Sequence, residues 1–273
     1  MKKRIALFII FCILLTIIPT DPVSAADAGI TTLDQAVQAA LTMNSQSSSS
    51  VTQANTLALN VADTVIDLDF NLEKVQALEE KEKLLQQEVN QGDVDFKTGK
   101  IDAKTLEGLH QEITQNEFDL NFYHMKVDNS KMEFQKLTGE PVTANFDYRD
   151  AYLITDAGKL ALPPSAAQSQ DATSIEKQLN DVMSAFSNLG TLISAYIKAG
   201  ENYSQTENDF KTGKASQDDL TAAQIAEEDA KIDALEGKAQ YSKLLYGLDC
   251  SLQGYISRSV KKISNPIFQS FGA

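Results

Sequence analysis

Apolar side chains recur along much of this 273-residue chain at spacings that alternate between three and four. Val61, Val65, Leu68, Leu72, Val75, Leu78, Glu82, Leu85, Val89, Gly92 and Phe96 form one run. Leu106, Leu109, Ile113, Asn116, Leu120, Tyr123, Val127, Ser130, Phe134 and Leu137 form a second. A mean spacing of 3.5 keeps one stripe of a helix against a neighbour turn after turn, so each run predicts a long coiled-coil helix. From Val61 to Phe96 such a rod is about 54 Å long.

The segment between the runs, Asp95-Phe96-Lys97-Thr98-Gly99-Lys100, recurs unchanged 114 residues on as Asp209-Phe210-Lys211-Thr212-Gly213-Lys214. The flanking rhythm recurs too, from Leu179, Val182, Phe186 and Leu189 to Phe210 before it, and from Leu220, Ala223, Glu227 and Ala230 to Leu248 after it. The chain is therefore an internal duplication. The predicted fold is all-α: two tandem long antiparallel helical hairpins of coiled-coil type, with no clear β-barrel. Ala223, Ala230, Ala234 and Gly237 make the last run one of small residues, suited to a closer helix approach or to a different neighbour.

Each hexapeptide reads as a hairpin tip. Gly99 and Gly213 supply a residue free to enter the left-handed region, and the adjacent lysines complement the carbonyls of a helix C-terminus. Asp102 with Thr105, and Ser216 with Asp219, then offer N-caps to the returning helices. A phosphate loop is excluded, because Val94 and Asn208 stand where its first glycine belongs and no strand precedes either copy.

Around the repeats, Thr32 and Gln35 predict a capping box for a short amphipathic helix that stops at Met43-Asn44, and Ser45 to Ser50 reads as a polar joint. Leu137-Thr138-Gly139 and Pro141 close the first repeat. Phe146 to Ile154 is a candidate short strand, and Thr173 with Glu176 a candidate cap for the next long helix. The organisation expected is a signal peptide at 1–25, a first hairpin repeat at 26–140, a linker at 141–172, a second hairpin repeat at 173–255 and a tail at 256–273. The signal assignment rests on Lys2, Lys3 and Arg4, the apolar run Ile5 to Ile18 and the small-residue site Val23-Ser24-Ala25. It predicts an exported, extracytoplasmic protein. No later apolar run is long enough to span a bilayer, so no membrane-spanning segment is expected in the mature chain.

Composition narrows the function. Loss of Lys2, Lys3, Arg4 and Asp21 with the signal takes the formal charge from −14 to −16, which argues against nucleic acid or anionic lipid as partner. Cys250 is then the sole cysteine and reads as a structural thiol. His110 and His124 sit on one predicted helix about 21 Å apart, too far to share a metal. No HExxH, GxSxG or dinucleotide fingerprint is present, so neither catalytic residues, cofactor nor metal site is predicted, and the chain is not read as an enzyme. Glu82 and Asn116 interrupt the apolar stripe and read as residues that fix register at a cost in stability.

Thr32-Leu33-Asp34-Gln35-Ala36-Val37, Ala40-Leu41 and Asn44, followed by two copies of a long helix, an F-x-x-G-K turn and a returning helix, resemble the TolC-like outer membrane efflux proteins. The resemblance covers most of the mature chain. It implies a homo-oligomer, a trimer in that family, forming a hollow helical duct that works with an adaptor protein and an inner-membrane pump. It also implies that adaptors dock on the tips, which here are Thr98, Gly99, Lys100 and Ile101 together with Thr212, Gly213, Lys214 and Ala215. Two departures stand out. Lys100 and Lys214 replace the leucine usual after the tip glycine, and no segment supplies the family's barrel strands. A shortened relative is therefore expected, in the cell envelope, with a non-transport coiled-coil spacer or scaffold as the alternative reading. An inserting toxin is a remote third, since it needs an apolar segment absent after Ile18.

Overall fold

A computed structural model describes residues 29–44, 51–152 and 172–252. The proposed signal, the Ser45 to Ser50 joint, most of the linker and the C-terminal tail lie outside the described residues. The elements are α1 (Leu33–Met43), α2 (Val51–Lys97), α3 (Ala103–Thr138), a 3-10 turn (Tyr148–Ala151), α4 (Ala172–Lys211) and α5 (Gln217–Ser251). The described residues contain no strand, and the fold is all-α.

Local chemistry sets most of the boundaries. Thr32 accepts a hydrogen bond from the Gln35 amide, but the Gln35 side chain reaches Thr31 instead of closing the expected reciprocal box. Asp102 caps α3 by accepting from the Thr105 amide at 2.8 Å, and Ser216 with Asp219 forms a complete capping box on α5. Gly139 closes α3 in the left-handed region at φ 79°. Two expectations are corrected. α4 already begins at Ala172, so Thr173 lies inside its first turn instead of capping it. Phe146 and its successors form no strand. A single parallel bridge joins Thr32 to Asp147, and the chain then tightens into the 3-10 turn because the Asp147 side chain accepts from the Arg149 amide; Ile154 lies outside the described residues.

α2 pairs antiparallel with α3 and α4 with α5, as two hairpins. The hairpins meet only through α2 and α5 among the packed contacts, so the long helices form one open layer in the order α3, α2, α5, α4. α1 and the 3-10 turn pack on one end of this layer, where Leu33, Ala36, Ala40, Val61, Val65 and Phe134 share a core and Phe146 sits edge-on to Phe134 at 5.7 Å. The predicted stripe is buried from Val61 through Val89, with Leu72 and Glu82 half-buried. Gly92 ends the packed seam: a Cβ there would meet Leu109 Cδ1 at 2.6 Å. Phe96 and Phe210, placed in the seam by the sequence pattern, are instead 43% and 38% exposed; Phe96 lies beyond that last packed layer, where the partner helix has not yet begun.

α5 buries a second face that the repeat pattern did not single out. Ile232 and Ala239 pack against Ala62, Ile66 and Ala77 of α2. Four ion pairs run along the same contact: Lys243–Asp67, Lys238–Glu73 at 3.7 Å, Lys74–Glu236 at 3.9 Å and Lys81–Asp229 at 2.6 Å. In every pair the residue numbers sum to 310 or 311, so one antiparallel register holds along the whole contact.

Candidate functional site

The register that pairs Asp67 with Lys243 also brings Lys97 level with Gly213, so the two tips emerge side by side at one end of the layer. Each tip has the same backbone solution. Gly99 and Gly213 both sit at φ 74°. The Gly99 amide donates to Phe96 O at 3.0 Å and the Lys100 amide to Asp95 O at 2.8 Å, and the second copy repeats these bonds at 2.9 and 2.8 Å. This is a Schellman motif, which satisfies helix-end carbonyls left without an intrahelical donor. Thr98 Oγ1 donates to Val94 O, and Thr212 Oγ1 to Asp209 O, each at 3.1 Å.

A Schellman motif ordinarily closes with an apolar contact across its ends. Here a charge pair takes that place. Lys100 Nζ lies 2.7 Å from Asp95 Oδ1, and Lys214 Nζ lies 4.0 Å from Asp209 Oδ1. The hydrogen bond from Lys100, reinforced by Gln91, holds the Asp95 carboxyl below its usual range, and the same contact raises the Lys100 ammonium. Asp218, in the first turn of α5, adds to the negative field at Lys100. The turns therefore present ion pairs instead of uncompensated positive charge. Thr98, Gly99, Lys100, Thr212, Gly213 and Lys214 are exposed, while Ile101 and Ala215 are half-buried; Ile101 Cδ1 points at the Gly92 face, 3.7 Å from where a Cβ would stand.

Behind the turns three large apolar side chains stand among exposed polar ones. Val94 and Phe96 on the first hairpin and Phe210 on the second are exposed. Periodicity places both phenylalanines in the seam, and for Phe96 the glycine at 92, four residues earlier, is the signal that the seam closes there. His110 Nε2 is 3.9 Å from Asp93 Oδ1, with both side chains exposed, and His124 is exposed as well. Cys250 is half-buried, its Sγ donating to Asn55 O at 3.6 Å, and burial pushes its thiol up to about 11. Among the described residues no group of three His, Cys, Asp or Glu is placed to hold a metal, and no helix is long and apolar enough to cross a membrane.

No protein-family model matches the sequence, and no curated protein matches it. Solved structures do match the fold. CusC, a protein studied for folding and transmembrane channel formation, superposes with a TM-score of 0.59 at 12% identity, over 75% of this chain and 78% of its own. The CmeC outer membrane channel of Campylobacter jejuni gives 0.51 at 11% identity, over 88% and 70%. The outer membrane protein VceC of Vibrio cholerae gives 0.50 at 12% identity, over 81% and 74%. The chain thus has the long-helix fold of TolC-like outer membrane channels, as its repeats and tips had indicated, and the similar structures are channels, not enzymes.

Proposed function

We propose that this protein is an exported subunit of a TolC-like trans-envelope efflux or secretion duct, assembling with copies of itself and docking an adaptor at the tips. One observation carries the reading. The duplication relates α3 to α5 without a gap, and the α5 residues packed on the α2 side, Ile232, Ala239 and Tyr246, correspond to Phe118, Met125 and Met132 of α3. Those three are 66%, 59% and 61% exposed. The chain therefore carries a second copy of a buried helix face and leaves it uncovered.

The duplicate of α2 is α4, at the opposite edge of the layer, so the partner of the α3 face is α4 of another copy. Met183, the duplicate of buried Asp69, is exposed there. Head-to-tail repetition of this contact closes into a ring of helices around a lumen, which the family realises as a trimer. The adaptor, the inner-membrane pump, the envelope location and the tip residues Thr98 to Ile101 and Thr212 to Ala215 as docking points follow from the resemblance and belong to the same proposal.

The test is the mass of the purified protein in solution, combined with paired cysteines. Lys74 and Glu236, opposed within the chain, correspond to Asn188 and Phe122. In a Cys250→Ser background, Phe122→Cys with Asn188→Cys is expected to link one chain to the next, whereas Phe122→Cys with Ala195→Cys, about 10 Å out of register, links poorly. A monomer at all concentrations, with no interchain link, would overturn the duct.

A further inference from the structure

Negative charge is in surplus along one stretch of the contact between the hairpins. Asp63, Asp67, Asp69 and Glu73 occupy adjacent turns of α2, and α5 sets only Lys238 and Lys243 directly against them. Glu73 pairs with Lys238 at 3.7 Å, and Lys243 pairs with Asp67. Asp69, buried, accepts a hydrogen bond from the Tyr152 phenol that follows the 3-10 turn. Asp63 Oδ1 is buried with no hydrogen-bond partner among the described residues.

Other charges nearby do not offset the surplus. Lys74 is engaged by Glu236 and stands 4.6 Å over the Tyr123 ring of α3. Lys231 contributes to the field at Glu73 but pairs with Glu228 on its own helix. Asp249, also buried on α5, adds a further acid beside Cys250. Tyr148 on the 3-10 turn carries no charge of its own, and Asp34, the single titratable side chain of α1, is exposed.

We infer that the α2–α5 contact is a proton-responsive clasp: uptake of one proton by the Glu73 carboxylate, with Asp69 and Asp63 as further acceptors, tightens the two hairpins together, and its release loosens them. Protonation does not strand Lys238, whose ammonium keeps the field of Asp69 and the face of Tyr152 at 4.0 Å. Burial is the largest cause acting on all three acids and raises each, carrying Glu73 to about 7 against the opposing pull of Lys238. The sign follows from linkage. An acid whose packed-state pKa lies above its free value of 4.5 favours packing below that value and loses this contribution as the pH rises through about 7. The clasp is therefore tight in mild acid and loose in mild alkali, opposite to the usual acid weakening of carboxylate pairs. It depends on the chain alone and stands whether or not the duct reading holds.

Hydrogen exchange of the whole protein at pH 6 and pH 8, corrected for the intrinsic pH dependence of exchange, tests it in the segments 61–77 and 232–249. Release of the Glu73 proton between these values predicts opening about tenfold more frequent at pH 8 than at pH 6. Glu73→Gln should abolish that difference and hold both segments at their pH 6 protection, while exposed Glu79→Gln should preserve it. His110 and His124 lie outside both segments and are unchanged in all three proteins. Equal protection at the two pH values in the unaltered protein, or the same difference in Glu73→Gln, would overturn the inference.

Discussion

Asn116 Nδ2 on α3 donates across the first hairpin to the backbone oxygen of Leu78 on α2 at 3.1 Å, while Asn116 Oδ1 is buried without a hydrogen-bond partner among the described residues. Half of this amide is satisfied and half is not. The duplicate position holds Ala230, so the second hairpin does without the device. A single buried amide in an apolar seam fixes register at the expense of stability. Asn116→Leu is expected to stabilise the protein by about 1 kcal/mol through relief of the unpaired oxygen, and Asn116→Ala to do so less, since it leaves a void. Urea denaturation measures both; a leucine variant less stable than the parent would show that the amide is fully satisfied.

Gly99 and Gly213 hold the tips at positive φ with nothing within 4 Å of where a Cβ would lie. Alanine there meets no neighbour and suffers only backbone strain, so each Gly→Ala change should cost about 1 kcal/mol. Gly108, in the body of α3 and equally uncrowded, provides the contrast. Gly108→Ala should stabilise by about 1 kcal/mol through helix propensity. Denaturation midpoints that move the same way for Gly99 and Gly108 would contradict the tip geometry.

Lys100 and Lys214 are exposed partners of Asp95 and Asp209, and exposed pairs contribute little to stability. Their joint replacement by Glu should leave helicity and assembly mass unchanged by circular dichroism and light scattering. If the tips dock an adaptor, a photo-crosslinker at Thr98 should capture it in cells with the parent protein and lose it with the double variant, more completely at low salt. Undiminished capture would confine these lysines to closing the turns.

The Cys250 thiol is half-buried and raised from 9.0 to about 11. A thiol held that high carries about a hundredfold less thiolate near pH 8 than a free one. Alkylation by iodoacetamide should therefore be slower in the folded protein by at least about that factor than in urea. Comparable rates would place the thiol in open solvent.

The sequence disclosed the hairpins because a seam such as Val65, Leu68, Leu72 and Val75 repeats at the coiled-coil period, and it disclosed the tips because Thr-Gly-Lys appears twice. What it concealed was the second buried face of α5. Ile232 and Ala239 are interleaved with Lys238, Glu236 and Lys243, and charged residues at that density resemble a solvated surface until a second helix is found bearing the opposite charges in register. The last turns before the tips misled for a different reason. Periodicity assigns Phe96 to the seam, but it carries no information on where the opposing helix starts, and Asp102 sets that start too late for Phe96 to be covered.

The common register of the ion pairs between α2 and α5, together with the gap-free duplication, restricts how this rod can change its reach. A residue inserted in α2 alone would rotate every following side chain by about 100° and set Lys74 and Lys81 against the wrong neighbours. Only a whole heptad added to all four helices together restores both seams. Related rods of this design should accordingly differ in length by steps of about 10 Å, a quantised scale on which the distance between the α1 end and the tips is set.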